Sequence, residues 1–594
     1  MFSKLLNAVK LFKRAFGRYK AVLLFLFFLS FVNSILEGIG ISAIIPFFSF
    51  IGQNKFGNTD LISRTIESFF IYLHIPFTLK FLLIFVLGLF ILKAAVLFCT
   101  NFIASLTTFS YEKSLRSDLF KLTLAGSWPH LIKQKVGHLD QLLVTDINFG
   151  SGLIFGIVTA ATMFTKLIIY TLLAVSLSAP ITLFALVLGS FSFFIFKPFF
   201  HKNRLMSRRL ADMYKEIAHF VNENVIGMKT VKSMFVEKAV TERGKIFFEK
   251  ARSFKVQVAV NQHLTQALMQ PIGFIFIMAI FAFSYKTNLF NFASFAVIVY
   301  AINQIFTQIQ VGQAHLHGMV SSAPYLMNAM NYQESARQNI EKDQGGKKFV
   351  FNDKLEFINV NFSYNTGKQT LRQANFSIKR GELVGIIGPS GAGKTTVADL
   401  LLRLFQPNAG SILLDKVNIN NISLKAWRTN IGYVSQDSFL LNETIENNIK
   451  FYNDSITKEQ VEAFAKIANI FAFVSSLPDK FSTVIGERGI LLSGGQRQRI
   501  VLARILARNP KILILDEATS ALDNESEAQI QKAIEKLKGK ITVLAIAHRL
   551  TTVKNCDQIF VLKDGEIIEK GKPNELLNNK SSYFYEMQNL KNNS

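Results

Sequence analysis

The stretch Leu383-Val-Gly-Ile-Ile-Gly388-Pro-Ser-Gly-Ala-Gly393-Lys394-Thr395 decides the fold of the second half of this chain. It fits the pattern G-x-x-x-x-G-K-[ST], with an apolar strand before the loop and the helical run 396–404 after it. In such a loop, glycines let backbone N–H groups approach phosphates at a helix N-terminus. Lys394 is expected to reach the β- and γ-phosphates of a nucleotide, and Thr395 to place its hydroxyl on Mg²⁺. The predicted phosphate-binding residues are Gly388, Ser390, Gly391, Gly393, Lys394, Thr395 and Thr396. A chance glycine-rich turn is the alternative, and the flanking strand and helix argue against it.

A second motif follows further along the chain, where Ile512-Leu-Ile-Leu ends in Asp516 and Glu517. Four apolar residues before two acids predict a buried strand that delivers carboxylates to the C-terminal edge of a sheet, where α/β proteins bind ligands. Asp516 is predicted to hold Mg²⁺, and Glu517 to polarise the attacking water as general base. Short β-rich runs alternating with helical stretches indicate an α/β domain around a central sheet.

The first half has a different composition. Half of the 594 residues are hydrophobic and 18% are charged, whereas about 25% charged residues are typical of soluble proteins. The formal net charge of +25 is compatible with nucleic-acid binding, with a surface for anionic lipid, or with basic cytoplasmic loops of a membrane protein. The apolar first half favours the third interpretation, and no nucleic-acid partner is expected. Two cysteines, Cys99 and Cys556, imply neither a disulfide framework nor a metal site.

Six apolar stretches are long enough to cross a membrane, each offering about 20 residues. The long connections after the second and fourth stretches are rich in lysine and arginine, whereas the turn at 178–181 carries no charge. The positive-inside rule therefore places these connections and both termini in the cytoplasm of a plasma (inner) membrane protein. The predicted spans are 21–50, 81–111, 149–177, 180–200, 268–285 and 292–312.

Four regions are predicted. Residues 1–20 have apolar positions at helical spacing with lysines and arginine on other faces, which predicts an interfacial amphipathic helix, although an ordinary soluble helix has the same pattern. Residues 21–333 form the transmembrane domain with two long cytoplasmic loops, 334–350 a linker, and 351–594 the nucleotide-binding domain.

Between the two phosphate motifs lies Leu492-Ser493-Gly494-Gly495-Gln496. This pentapeptide resembles the signature of the ABC ATPase superfamily letter for letter. The resemblance implies that these residues bind the phosphates of an ATP held by the opposite subunit. It also implies roles for four further positions in the expected order: Tyr364 stacks on adenine, Gln436 contacts Mg²⁺, Asp523 in Ser520-Ala-Leu-Asp523 bridges the subunits, and His548 contacts the γ-phosphate.

The resemblance covers nearly the whole chain, and six spans ahead of the ATPase domain look like the exporter arrangement of a half-transporter. The expected fold is an all-α transmembrane domain with six helices, followed by an α/β P-loop ABC ATPase domain. Segment 483–489 resembles an exporter-specific loop, and Trp128-Pro-His-Leu-Ile and Gly227-Met-Lys-Thr-Val-Lys lie where exporters place coupling helices. All catalytic positions match the pattern, which favours a homodimer and leaves a heterodimer of two intact halves open.

The resemblance implies an ATPase that couples hydrolysis of ATP to outward movement of a substrate. Ile35-Leu-Glu37-Gly-Ile-Gly-Ile-Ser-Ala-Ile-Ile-Pro46 resembles the first span of bacterial flippases for lipid-linked oligosaccharides, so a lipid or lipid-linked glycan is the expected substrate and membrane lipid an expected partner. The alternatives are a peptide or multidrug exporter, an ATP-gated channel and a regulatory subunit.

Three charges interrupt the apolar spans: Glu37, Lys93 and Lys166. Ionisable groups inside a membrane usually face the protein interior or a wet cavity. Glu37 could simply pair with one lysine and hold two helices together. The positive surplus of the three groups instead suits an anionic headgroup, and both interpretations stay open at this point.

Overall fold

The fold is described from a computed structural model, which describes residues 12–51, 61–134, 136–177, 179–284, 292–364, 369–518, 523–547 and 553–592. Contacts between Cα atoms divide the chain into two compact units: the first contains Met1–Gly126 and His130–Ile340, and the second contains Ser127–Pro129 and Glu341–Ser594.

Long helices make up the first unit. Each predicted span lies within or overlaps one of them, as expected for continuous apolar sequence. Within the described residues, six helices exceed twenty residues: α1 (Lys20–Ser42), α2 (Leu79–Leu124), α3 (Leu153–Leu177), α4 (Ala179–Ile226), α5 (Glu237–Ser284) and α6 (Phe292–Gln338).

Several of these helices are longer than a membrane requires. Helices α4 and α5 each contain 48 residues. At 1.5 Å per residue such a helix measures about 70 Å, more than twice the hydrocarbon thickness of a bilayer. By length and hydropathy, three helical stretches of the described residues qualify as membrane spans: Phe12–Phe47, Leu79–Leu124 and His138–Ser176. The number of crossings therefore stays a prediction.

Shorter helices connect the long ones. The first predicted span is not continuous, because α1 ends at Ser42 and a new helix, Ile44–Ile51, contains Pro46. Proline has no N–H to donate to the carbonyl of residue 42, which favours a break there. The predicted coupling segments form the helices Trp128–Leu131 and Met228–Ser233. The remaining short elements of this unit are Gly17–Tyr19, Leu61–Tyr72, Val136–Gln141, Leu142–Asp146 and Ile147–Ser151.

Small hydroxyl side chains join α1 to α3. The Ser30 and Thr162 hydroxyls are 2.9 Å apart, and so are those of Ser34 and Thr165. Small residues of this kind let helix backbones approach closely inside a membrane. At its C-terminal end α6 continues into the predicted linker 334–350, where the Gln338 amide donates to Glu334 at 3.0 Å.

The second unit contains two sheets. The six-stranded sheet has the order β10-β9-β3-β8-β7-β6, with β9, β3, β8, β7 and β6 parallel and β10 antiparallel. The four-stranded sheet, β2-β1-β4-β5, is antiparallel. The strands are β1 (Lys354–Phe362), β2 (Leu371–Lys379), β3 (Leu383–Ile387), β4 (Ala409–Leu414), β5 (Val417–Asn418), β6 (Ile431–Val434), β7 (Ile512–Asp516), β8 (Thr542–Ile546), β9 (Gln558–Lys563) and β10 (Glu566–Gly571).

Apolar residues of the second unit form two large buried clusters, to which alternate residues of the central strands contribute. Leu513 and Leu515 of β7 lie in one cluster, whereas Ile512 and Ile514 lie in the other. This alternation is expected for a strand covered on both faces, since successive side chains point to opposite faces. The expected α/β domain with a central sheet is confirmed.

Helices fill the intervals between these strands. Those that carry the candidate site are α7 (Lys394–Leu401), α8 (Gly494–Leu506) and α9 (Asn524–Glu535). The others are Ile419–Asn421, Leu424–Asn430, Ile445–Lys450, Lys458–Ile467, Phe471–Ser476, Lys480–Ser482, Glu487–Gly489, Pro573–Asn578 and Tyr583–Asn592.

Candidate nucleotide site

The sheet order brings the separate motifs to one edge. Strand β3 leads into the glycine-rich loop, its neighbour β8 precedes His548, β7 ends at Asp516, and β6 precedes Gln436. These four strands are adjacent and parallel, so their carboxyl ends lie at the same edge, where α/β folds bind ligands. His548 itself lies outside the described residues, as do Ser520, Ala521 and Leu522.

Positive φ angles shape the glycine-rich loop between β3 and α7. Gly391 has φ +80° and Gly393 has φ +105°, a region that favours glycine. A Cβ at Gly393 would come within 2.8 Å of the Thr370 carbonyl oxygen. The buried Lys394 ammonium donates to the carbonyl oxygens of Gly388 and Pro389, both at 3.0 Å. The lysine side chain therefore lies over its own loop, where a phosphate-binding cation is expected.

Asp516 is a buried carboxylate at the end of β7. Its Oδ2 accepts a hydrogen bond from the Tyr433 hydroxyl at 3.2 Å. Within the described residues, its buried Oδ1 accepts no hydrogen bond of ordinary geometry. Burial raises the pKa of this carboxyl, the hydrogen bond from Tyr433 opposes the rise, and the neighbouring charges of Glu517 and Asp399 add to it. A buried carboxylate oxygen beside the Thr395 hydroxyl is a donor set that Mg²⁺ prefers, so the residues present fit this ion.

Glu517 follows directly and has φ +50°, which is uncommon for a residue other than glycine. Its N–H donates to the Ile546 carbonyl oxygen at 2.9 Å, and the Gln436 amide donates to its Oε2 at 3.1 Å. Strain of this kind persists where the surroundings hold the backbone, often at functional sites. Two residues predicted separately, Gln436 and Glu517, are thus in direct contact.

Tyr364 follows β1 in the four-stranded sheet and is partly exposed. Its hydroxyl donates to Asp399 Oδ2 at 2.7 Å and lies 3.2 Å from the Thr396 hydroxyl. Its ring packs edge-on against Phe405, with centroids 5.1 Å apart. Burial raises the pKa of the Tyr364 hydroxyl, which keeps it a donor. The sequence motifs do not include Asp399, Phe405 or Tyr433, because each lies in an ordinary helical, loop or strand pattern.

The signature residues begin α8. Ser493 caps this helix, since its hydroxyl accepts from the Gln496 N–H at 3.3 Å while the Gln496 side chain accepts from the Ser493 N–H at 2.8 Å. Gly495 packs against α9, and a Cβ there would come within 2.2 Å of the Ser526 hydroxyl oxygen. Asp523 caps α9 by accepting from the Ser526 N–H at 3.0 Å. The structure thus places Ser493, Gly494, Gly495 and Gln496 beside the start of the helix that Asp523 caps.

The three charges of the first unit also meet. Glu37 Oε2 lies 3.2 Å from the Lys93 ammonium and 2.9 Å from the Lys166 ammonium. The Tyr170 hydroxyl donates to Glu37 Oε1 at 2.7 Å. Glu37 therefore pairs with both lysines rather than with one of them.

Comparisons with known proteins agree with this architecture. The family model described as ABC transporter matches residues 371–520, and the one described as ABC transporter transmembrane region matches residues 22–311. A solved structure of a bacterial Atm1-family ABC exporter with ATP bound matches with a TM-score of 0.78 over 97% of this chain and 99% of that chain. Its sequence identity is 22%, so this likeness shows the fold.

Two curated relatives are named ATP-dependent lipid A-core flippase. The one from Desulfotalea psychrophila is 35% identical over 395 residues, which are 65% of this chain and 68% of that protein. The one from Burkholderia pseudomallei is 35% identical over 393 residues, which are 64% of this chain and 65% of that protein's length. Each of these matches is longer than either region matched by a family model, so it includes parts of both. This membrane protein therefore belongs to the ABC transporter family and has the architecture of an exporter-type half-transporter.

Proposed function

We propose that this protein is an ATP-driven exporter or flippase that moves a lipid or lipid-linked glycan outward across the plasma membrane. The observation that carries the proposal is the convergence of the glycine-rich loop, Asp516, Glu517 and Gln436 at one sheet edge. These residues belong to a chain whose other unit is built from membrane-length helices.

The site residues divide between binding of ATP and its hydrolysis. Lys394 binds the β- and γ-phosphates, while Thr395, Asp516 and Gln436 would hold Mg²⁺, which neutralises phosphate charge when bound. Glu517 orients and polarises the attacking water, and its contact with Gln436 keeps the carboxylate in place. Tyr364 supports the adenine, and His548 contacts the γ-phosphate.

Two chains are needed for a complete site. Ser493 and Gly494 begin a helix whose N-terminal N–H groups suit a phosphate, and they serve the ATP of the partner chain. ATP bound between two domains closes them, the helices Trp128–Leu131 and Met228–Ser233 transmit the closure, and hydrolysis resets the cycle. The chain therefore acts as a homodimer, with its ATPase domains and termini in the cytoplasm.

The substrate class is supported by the relatives named lipid A-core flippase and by the charges within the apolar helices. A screen of ATPase stimulation in nanodiscs by lipids, lipid-linked glycans and drugs identifies the class. Stimulation by drugs alone would contradict a lipid substrate.

Transport itself is tested in proteoliposomes with a fluorescent lipid-linked glycan and with Glu517→Gln protein as the matched control. The expected result is accumulation of the substrate in one leaflet against its gradient, dependent on ATP and absent in the variant. Movement that only equalises the two leaflets would indicate a channel or scramblase. Absence of movement for every lipid tested would contradict the proposal.

A further inference from the structure

Three charges that are far apart in sequence form one cluster. Each is the only Asp, Glu, Lys or Arg in a long apolar stretch: Glu37 within 21–50, Lys93 within 81–111 and Lys166 within 153–177. Both ammonium groups contact the same carboxylate oxygen, and Tyr170 donates to the other oxygen. We call these four residues the charge cluster. One carboxylate and two ammonium groups give it a formal charge of +1.

A role in stability explains this cluster poorly. One lysine would neutralise Glu37, so the second lysine brings an additional charge into an apolar environment. Buried ion pairs are often no more stabilising than apolar residues of similar volume. Ionisable residues inside membrane helices usually mark a substrate or ion pathway. The surplus charge therefore needs a functional explanation.

The two lysines remain accessible to a second acceptor. The Lys93 and Lys166 side chains are 22% and 18% exposed, whereas that of Glu37 is 9% exposed. An ammonium group has three N–H donors, and both ammonium groups lie at ion-pair distance from a single Glu37 oxygen, so donors of each lysine remain for a further acceptor. Ammonium groups form strong, charge-assisted hydrogen bonds with phosphate and carboxylate oxygens. The cluster can therefore bind a further anion without releasing Glu37.

An apolar cavity of about 530 Å³ lies on one side of the cluster. In each of three helices most of its lining residues lie from the charged residue toward the same end: Ile39 follows Glu37, Leu89 precedes Lys93, and Ile169 follows Lys166. That end is opposite the C-terminal part of α2, which contains charged residues and ends at Leu124. Ile35, which precedes Glu37, also lines the cavity. The helix Leu61–Tyr72 contributes Phe69 to the cavity wall. The volume lies within the range of about 300–1,000 Å³ typical of small-molecule sites.

We propose that the charge cluster and this cavity form one binding site for an anionic amphiphile. Its phosphate or other acidic group pairs with Lys93 and Lys166, and its alkyl chain occupies the cavity. The charge selects anions over cations, and the apolar walls select an amphiphile over a free inorganic anion. The inference rests on the proposed transport of a lipid and names the part of the protein that recognises it.

Equilibrium binding of radiolabelled dodecyl phosphate to the full chain in zwitterionic nanodiscs tests the site, with empty nanodiscs subtracted. Lys93→Met and Lys166→Met are each expected to raise the half-saturating concentration at least tenfold. Glu37→Gln leaves two lysines uncompensated, so it is expected to lower that concentration several-fold. Lys80→Met removes a lysine of α2 outside the cluster and is the matched control, with no change expected.

Substitution of Glu37 and substitution of either lysine should change the half-saturating concentration in opposite directions. This difference distinguishes a binding site from a structural ion pair. If all three substitutions weaken binding alike, or none changes it, the charge assignment is wrong.

A second comparison uses the unaltered protein, so it does not depend on any variant folding. Dodecyl phosphate should bind more tightly than butyl phosphate, inorganic phosphate and dodecyltrimethylammonium. Equal binding of inorganic phosphate or of the cation would overturn the proposal.

Failure of the site and failure of the proposed function give different results. If the protein binds dodecyl phosphate through both lysines but moves no lipid, the binding site is supported and the proposed transport is contradicted. A protein that transports lipid, but binds dodecyl phosphate equally well in all four variants, keeps transport and refutes the site.

Discussion

Two hydrogen bonds hold Glu517 in an uncommon backbone conformation at the end of β7. The backbone bond to Ile546 ties it to β8, and the side-chain bond from Gln436 ties it to the segment after β6. A carboxylate held in this way is preorganised to orient water, which is the role proposed for a general base.

Glu517→Gln is therefore expected to reduce ATP hydrolysis by a factor of about 10²–10⁴, the usual contribution of a general base, while ATP binding persists. The variant should also accumulate as a closed dimer. Phosphate release measures the loss of hydrolysis, and a fluorescent ATP analogue measures ATP binding. Glu525→Gln, an exposed acid at the start of α9, is the control. Near-normal turnover of Glu517→Gln would remove Glu517 from this role.

Arg504 is a buried cation that holds α8 against the segment following Gln436. Its guanidinium donates to the carbonyl oxygens of Asn448 and Phe439, both at 2.7 Å, and to Asn448 Oδ1 at 2.9 Å. It also lies over the Phe451 ring, 4.3 Å from the centroid. Burial lowers the pKa of Arg504 to about 10, so the group is still charged at neutral pH.

Arg504→Met leaves the buried Asn448 carbonyl oxygen without its donor, whereas Asn448 Oδ1 keeps its hydrogen bond from the Leu441 N–H. Each unsatisfied group costs about 1–3 kcal/mol, so the free energy of unfolding of this domain should fall by at least that amount. The midpoint of thermal unfolding measures the loss. Arg508→Met is the matched control, because Arg508 is exposed, donates a long hydrogen bond of 3.4 Å to the Phe451 carbonyl oxygen, and lies 6.0 Å from the Phe451 ring centroid. Equal midpoints for the two variants would contradict the anchoring role.

At the scale of elements, the contact between α8 and α9 joins the signature residues to Asp523. The two helices approach so closely at Gly495 that a Cβ there would lie 2.2 Å from the Ser526 hydroxyl oxygen and 2.4 Å from its Cβ. The nearest Ser526 backbone atom, Cα, lies at 3.6 Å, which is ordinary contact. The obstruction is therefore the Ser526 side chain.

Gly495→Ala is expected to push the two helices apart and to lower the free energy of unfolding by about 1–3 kcal/mol, as overpacking usually does. Adding Ser526→Gly should restore most of the loss, because it removes both obstructing atoms. Denaturant unfolding of the two single variants and the double variant gives the coupling energy. A double variant no more stable than Gly495→Ala would show that this contact does not limit the packing.

At the scale of the whole molecule, the proposed homodimer places the signature of one chain at the ATP of the other. An acidic side chain at Gly494 would repel a phosphate at the start of α8, and loss of Lys394 would remove the cation of the loop. Mixed dimers of the two variants show whether these lesions fall in one site or in two.

Lys394→Ala chains mixed with Gly494→Asp chains should trap ATP at one site per mixed dimer. Both lesions then lie in the same composite site and the other site is intact. Mixed dimers are isolated with two affinity tags, and trapped nucleotide is counted per dimer. Dimers of differently tagged Lys394→Ala chains are the control and should trap none. If the mixed dimers also trap none, each domain works with its own signature.

Much of the fold and of the candidate nucleotide site can be predicted from local sequence. The phosphate loop and the acids of β7 are contiguous motifs, and their strand, loop and helix assignments depend on apolar periodicity and glycine positions that local physics controls. The long apolar stretches predict the helices of the first unit because every backbone group must be paired within a membrane. The predicted span 21–50 did not include the break at Ala43, which Pro46 favours, and the boundaries of the four regions stay predictions.

Contacts between distant residues depended on tertiary structure. Strand order decides that Gln436 touches Glu517, and helix packing decides that Lys93 and Lys166 share one oxygen of Glu37. Asp399, Tyr433 and Arg504 carry no motif, so their partners became visible only in the fold. The physical reason is that periodicity specifies which face of an element is buried, whereas register and packing between elements specify which residues meet on that face.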